Sequence, residues 1–112
     1  MGATTRTEIP PGTLYMLILK SLARLGPMHG YGIAQHIGEM SEDVLHVEEG
    51  SLYPALQRML IKGWVKAEWG QSDNNRRARY YRLTPAGRKQ LGVEIQEFER
   101  VMLAITRVIQ PA

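Results

Sequence analysis

Apolar residues recur along this chain first with a helical period, then with a strand period, then with a helical period again. Leu14, Leu17, Ile18, Leu22 and Leu25 follow the first of them at offsets of 3, 4, 8 and 11, which is one face of a helix over residues 13–25. Thr13 is placed to cap it and Gly26-Pro27 to stop it. A second helix is predicted from near Gly30, with Tyr31, Ala34 and Ile37 turned inward and an end between residues 38 and 41. After the polar stretch SEDVLHVEEG a third helix begins at residue 50 or 51 and runs to 61. Its core face is Leu52, Ala55, Leu56, Met59 and Leu60, at offsets of 3, 4, 7 and 8, which leaves Tyr53, Gln57, Arg58 and Lys62 pointing elsewhere. Pro54 fits such a helix when it lies in the first turn, where its missing N–H has no intrahelical acceptor to lose. Gly63 then closes the helix.

Next the period shortens to two. Strands at about residues 64–69 and 78–83 are expected to pair around the polar loop GQSDNNRR, longer than a tight hairpin turn. Tyr80 and Tyr81 are adjacent on the second strand, so they face opposite sides. Thr84-Pro85 reads as an N-cap followed by proline at the first helical position. Beyond it Leu91, Ile95, Phe98, Met102, Ile105 and Ile109 are spaced 4, 3, 4, 3 and 4, a heptad seam that Val101 and Val108 widen on one side. A helix of roughly 25 residues is about 38 Å long, too long for a core this small to cover. The seam is therefore expected to pack on a second chain.

Three helices, a hairpin and a long final helix make a mainly α protein with a small β-hairpin (α+β). The order is that of a winged helix-turn-helix, in which one helix enters the DNA major groove and a basic wing flanks it. The expected division is a flexible arm at residues 1–11, a winged helix-turn-helix domain at 12–84 and a dimerisation helix at 85–112. Charge agrees with this division. Residues 58–89 hold nine Lys or Arg against two acids, a net of +7, whereas the whole chain carries only +3. Such segregation focuses positive potential on one face.

Composition excludes several classes. The 112 residues fit one domain, with hydrophobic and charged fractions ordinary for a globular protein. The chain has no cysteine, so disulfides and thiolate metal sites are ruled out. The segment MGATTRTEIPPG lacks the apolar region of a secretory signal, and no apolar run is long enough for a membrane span. A cytoplasmic location is expected. His29, His36 and His46 are spaced 7 and 10 apart, which fits no metal-ligand pattern. With no phosphate loop, nucleophile elbow or metalloprotease motif, the reading is of a protein that is not an enzyme and needs no cofactor.

The motifs HGYGIAQHI, EEGSLYPALQRM and NNRRARYYRLTPAGRKQL together resemble the PadR family of bacterial transcriptional regulators, closest to its short-tailed members frequent in acidobacteria. The resemblance covers the chain from about Gly12 onward. It implies a winged-helix domain, a dimer built by the C-terminal helix with help from the first, and repression of nearby genes. It also implies that Trp64 packs at the helix–strand junction, and it favours a phosphate contact for the Tyr53 hydroxyl. Trp69 receives no role.

Among the exposed positions of the third helix, Gln57 has the chemistry to pair with adenine and Arg58 with guanine. Ser51 either contacts DNA or simply caps the helix, and Lys62 reaches phosphate. Arg76, Arg77 and Arg79 of the wing meet the backbone or a narrow minor groove. His29 can meet phosphate, and Tyr31 either does so or packs in the core. Members of the resembled family respond to phenolic acids or to flat apolar drugs held at the dimer interface. The corresponding pocket for a small aromatic effector would lie between Leu14, Tyr15, Ile18, Phe98 and Met102, the alternative being a filled core.

A homodimeric, sequence-specific binder of double-stranded DNA, most simply a repressor on a pseudo-palindromic operator, is the leading function class. The alternatives are a winged-helix protein–protein interaction module and a non-specific nucleoid protein. Four arginines between residues 76 and 82 argue against the first. The uneven charge argues against the second.

Overall fold

A computed structural model of the chain describes residues 6–10 and 12–111. In chain order its elements are β1 (Thr7–Glu8), α1 (Leu14–Leu25), β2 (Met28–His29), α2 (Gly30–Met40), β3 (Leu45–His46), α3 (Glu49–Ile61), β4 (Val65–Gln71), β5 (Arg77–Leu83) and α4 (Pro85–Ile109). Ile18, Leu19 and Leu22 of α1 meet Ile33 and Ile37 of α2 and Leu52, Ala55, Leu56 and Met59 of α3. Val65, Tyr81 and Leu91 close this core from the sheet and from α4. Each fully buried Leu or Ile here contributes about 2 kcal/mol by leaving water.

The buried faces differ in detail from the apolar pattern. On α1, Leu19 and Ser21 are buried while Leu25, the last helical residue, is exposed. Ser21 is tolerated because its hydroxyl donates to the Leu17 carbonyl at 2.8 Å. Thr13 holds the N-cap position of α1, but its hydroxyl donates to the Pro10 carbonyl instead of accepting from the helix. In α2 the buried set is Gly30, Ile33 and Ile37, so Tyr31, expected inward, is turned to solvent. The His29 side chain caps this helix, its Nδ1 accepting from Gly32 N–H at 3.0 Å.

Helix α3 begins earlier than predicted, with Glu48 as N-cap and Glu49 in the first turn. Ser51 is thus the third helical residue and not the cap. Pro54 falls in the second turn, and the Gly50 carbonyl, which loses its intrahelical donor, lies on an exposed residue. The helix ends in a Schellman motif. Gly63 takes a positive φ of 77°, Gly63 N–H donates to Leu60 at 3.1 Å and Trp64 N–H to Met59 at 3.0 Å.

Strands β4 and β5 are antiparallel and in register from Val65 opposite Leu83 to Gln71 opposite Arg77. Each strand is longer than predicted and the turn is tighter. Ser72 N–H donates to the Arg76 carbonyl at 2.8 Å and Asn75 N–H to Ser72 at 2.9 Å, leaving residues 73–75 as the turn. Asn75 there has φ 61°, a left-handed conformation that asparagine tolerates. The sheet has a third strand, in the order β2-β5-β4, with Met28 opposite Tyr81 and His29 opposite Tyr80. Within the expected N-terminal arm, β1 pairs in parallel with β3 and Ile9 packs on the core, so this part is docked. Residues 1–5 and 11 of that arm lie outside the described residues.

The start of α4 is anchored at the junction of α3 and β4. Thr84 Oγ1 accepts from Gly87 N–H at 3.0 Å. The same hydroxyl has the carbonyls of Gly63 at 2.7 Å and Trp64 at 3.0 Å as acceptors. Gly87 is pressed so closely on this turn that an added Cβ would overlap the Trp64 carbonyl oxygen. Gly92 in the same helix faces open space. Gly87→Ala is expected to destabilise the fold by about 3 kcal/mol through overpacking against backbone. Gly92→Ala should be neutral or stabilising by up to about 1 kcal/mol. Denaturant unfolding at one fixed protein concentration separates the two, and equal effects would contradict this account of the junction.

Candidate nucleic-acid interface

The inner face of the hairpin carries Val65, Ala67 and Trp69 on β4 and Leu83, Tyr81, Arg79 and Arg77 on β5, since paired residues share a face. Near the core this face is buried. Farther out it overhangs the first turns of α2 and α3. The result is a cleft of about 560 Å³, walled by Trp69, Arg76, Arg77 and Arg79 on one side and by His29, Tyr31 and Tyr53 on the other. Six of the residues expected at a DNA surface are therefore brought together. Gln57 follows Tyr53 by one helical turn and is exposed, so it continues the same flank of α3.

Tyr53 is seated by Gly30, where any Cβ would come within 2.6 Å of the Tyr53 hydroxyl. Burial, then the nearby Glu49 carboxylate, then Tyr81 raise its pKa, which keeps the phenol protonated and a donor. For His29, the bond from Gly32 N–H occupies Nδ1, so the neutral ring carries its proton on Nε2. Arg77 lies over the Trp69 indole, its guanidinium carbon 4.6 Å from the ring centroid. On the outer face Tyr80 donates to the Gln71 carbonyl at 2.8 Å, and Arg82 approaches Glu68 at 3.8 Å.

Three expected contact residues lie away from the cleft. Arg58 Nε donates to the Tyr15 hydroxyl of α1 at 2.6 Å. Lys62 stands 5.3 Å from the Trp64 ring centroid, and Trp64 meets Tyr15 edge-on at 5.7 Å. Ser51 borders a hollow with Ile9, Pro10 and Leu14. These side chains occupy the flank of α3 opposite the wing.

The long helix divides its seam. Leu91 is buried and Ile95 packs on the core, whereas Phe98, Met102, Ile105 and Ile109 are 39–74% exposed. Of the side chains expected around an effector, Ile18 has no exposed surface and the Tyr15 hydroxyl is engaged with Arg58. Leu14 is half-buried against the core.

Trp69 went unassigned from sequence although it lies within the cleft. The signal was present in the alternation Val65, Ala67, Trp69, which puts it on the inner face once strand register is known. The start of α3 is also acidic, with Glu48 as N-cap and Glu49 in the first turn, both near Tyr53. Its carboxylates suit the helix dipole, but they repel phosphate.

A three-helix core, a β-hairpin leaning over the third helix and a basic cleft between them define a winged helix-turn-helix protein. Residues 18–93 match the model of the transcriptional regulator PadR-like family, and the chain belongs to that family. Its members are transcriptional regulators that bind DNA, not enzymes. A transcriptional regulator from Clostridium thermocellum superposes with a TM-score of 0.80 at 28% identity, over 88% of this chain and 95% of that one. A PadR family transcription regulator from Clostridium difficile does so with a TM-score of 0.73 at 30% identity, over 88% and 99%. An uncharacterised protein from Lysinibacillus sphaericus is 28% identical over 96 residues, 86% of this chain and 87% of its own. Among the described residues no helix is long and apolar enough to cross a membrane.

Spectrophotometric titration checks the environment of Tyr53. The tyrosine step missing from Tyr53→Phe should lie above the ordinary value of 10.0. Because the folded pKa exceeds the unfolded one, the contribution of the neutral phenol to stability is complete below that ordinary value. It is lost as pH rises through the folded value. A missing step at or below 10.0 would contradict the packed donor.

Proposed function

We propose that this protein binds duplex DNA sequence-specifically as a homodimer, at a pseudo-palindromic operator, and represses nearby genes in the bacterial cytoplasm. The observation that carries the reading is the arginine-walled cleft between the wing and the Tyr53 flank of α3. Arg76, Arg77 and Arg79 provide sequence-independent attraction to phosphate. Tyr53, Tyr31 and His29 add hydrogen-bonding groups on the opposite wall. Gln57, exposed one turn further along, has the paired donor and acceptor needed for an adenine edge. Arg58, bonded to Tyr15, is not assigned a base.

The seam of α4 supports the dimer. From Phe98 onward it presents apolar side chains to solvent along about three helical turns, an arrangement that a second copy would cover by knobs-into-holes packing. Two winged helices held in this way would meet half-sites one or two helical turns apart, roughly 34 or 68 Å. A small aromatic effector would have to enter beside Phe98 and Met102 in the assembled dimer, because Ile18 is sealed within each chain.

Selection from a random duplex library at about 0.15 M salt tests the function directly. Recovery of one palindromic site is expected, whereas general affinity without a preferred sequence would overturn sequence-specific regulation. On the selected site, Gln57→Ala should cost about 1–3 kcal/mol and relax one position of each half-site. Arg77→Ala should weaken all sequences alike and reduce the salt slope by about one. Sedimentation tests the seam separately. Met102→Glu should give folded monomers, and a persisting dimer would place the interface elsewhere.

A further inference from the structure

We propose that Trp69 is a DNA-binding residue: its indole packs on the sugar–phosphate edge of the duplex and holds the Arg77 guanidinium ready for the adjoining phosphate. This rests on the reading of the cleft as the DNA site. Exposure along the inner face of β4 rises from 2% at Val65 to 59% at Trp69, so the wing carries this tryptophan clear of the core. Folding alone gives no reason to place the largest apolar side chain there. An exposed tryptophan within a basic cleft has the mixed apolar and polar character of an interface anchor.

Neighbouring charges specify the partner. Arg77 covers the indole at 4.6 Å and Arg79 stands directly across the strand pair. The stack limits the rotamers of Arg77 while leaving its N–H groups free, so less freedom is lost when it meets an anion. An indole stacked by one guanidinium, with a second arginine paired to it across the strands, matches a deoxyribose ring flanked by its phosphates. It does not match a base edge, which requires hydrogen-bonding groups in the groove. Trp69 therefore adds affinity without sequence preference.

The test uses the full chain and a random-sequence duplex. Emission from Trp69 is the difference between wild type and Trp69→Phe, in which only Trp64 remains. DNA should change this difference spectrum and protect it from acrylamide quenching. Trp69→Ala should weaken binding roughly ten-fold and lower the salt slope by about one, as the loss of the Arg77 contact would. Trp69→Phe retains a π face and should recover most of the affinity, and all three proteins should melt alike. If wild type binds the duplex while its Trp69 emission stays unchanged, or Trp69→Ala binds within two-fold of wild type, the role is wrong and the DNA-binding reading stands. If wild type binds no duplex, the DNA-binding reading fails and this role fails with it.

Discussion

The Thr84 hydroxyl group, where three elements meet, is the constraint on which the rest of the structure depends. As acceptor it satisfies an otherwise orphaned amide in the first turn of α4, and as donor it serves the carbonyls that follow α3. Gly87 lets the helix backbone lie directly on the Trp64 carbonyl. The end of α3, the first wing strand and the start of α4 are therefore fixed to one another within a few ångströms. Because β5 leads into this junction and β4 leads out of it, the lean of the wing over Tyr53 and the direction of the long helix are set together. A change that loosened the Thr84 cap would be felt at both ends of the protein.

Much of this was legible because it depends on local chemistry. Thr84-Pro85 and Gly63 mark helix ends through backbone preferences that need no tertiary context, and the structure uses each of them. Strong periodicity was equally safe for α3 and α4. Errors arose where distant parts of the chain decide. The two-residue strand β2 exists only because β5 offers it a partner, and a segment that short has no period to read. Tyr31 fitted an apolar face by type, but α2 buries Gly30 and Ile33 and so rotates Tyr31 outward. Pro54 was expected in the first turn of α3, but with Glu48 as N-cap the helix starts at Glu49, one or two residues earlier, and the proline falls in the second turn without preventing it.

The site was legible as a set of residue types and less so as an arrangement. A basic block with aromatic residues could be seen in the sequence. Which face each side chain took followed from the register of β4 and β5, and from the Tyr15–Arg58 hydrogen bond between residues 43 positions apart. Such a contact leaves no spacing signature. It draws to α1 an arginine that exposure alone would assign to DNA.

Charge then limits how the proposed DNA complex can be built. Glu48 and Glu49 stand at the start of α3, where the helix dipole favours them and an approaching phosphate would not. The first turn is thus a poor backbone anchor, and binding by this end of the helix alone would be repulsive. Arg76, Arg77 and Arg79 lie across the cleft on the wing, where they can take the phosphates instead. With acid at the helix tip and base on the wing, the favoured pose sets the wing against the backbone and the Tyr53–Gln57 flank toward the groove. The junction at Thr84 gives this division its meaning, because anchor and reader work in register only while the wing keeps a fixed angle to α3.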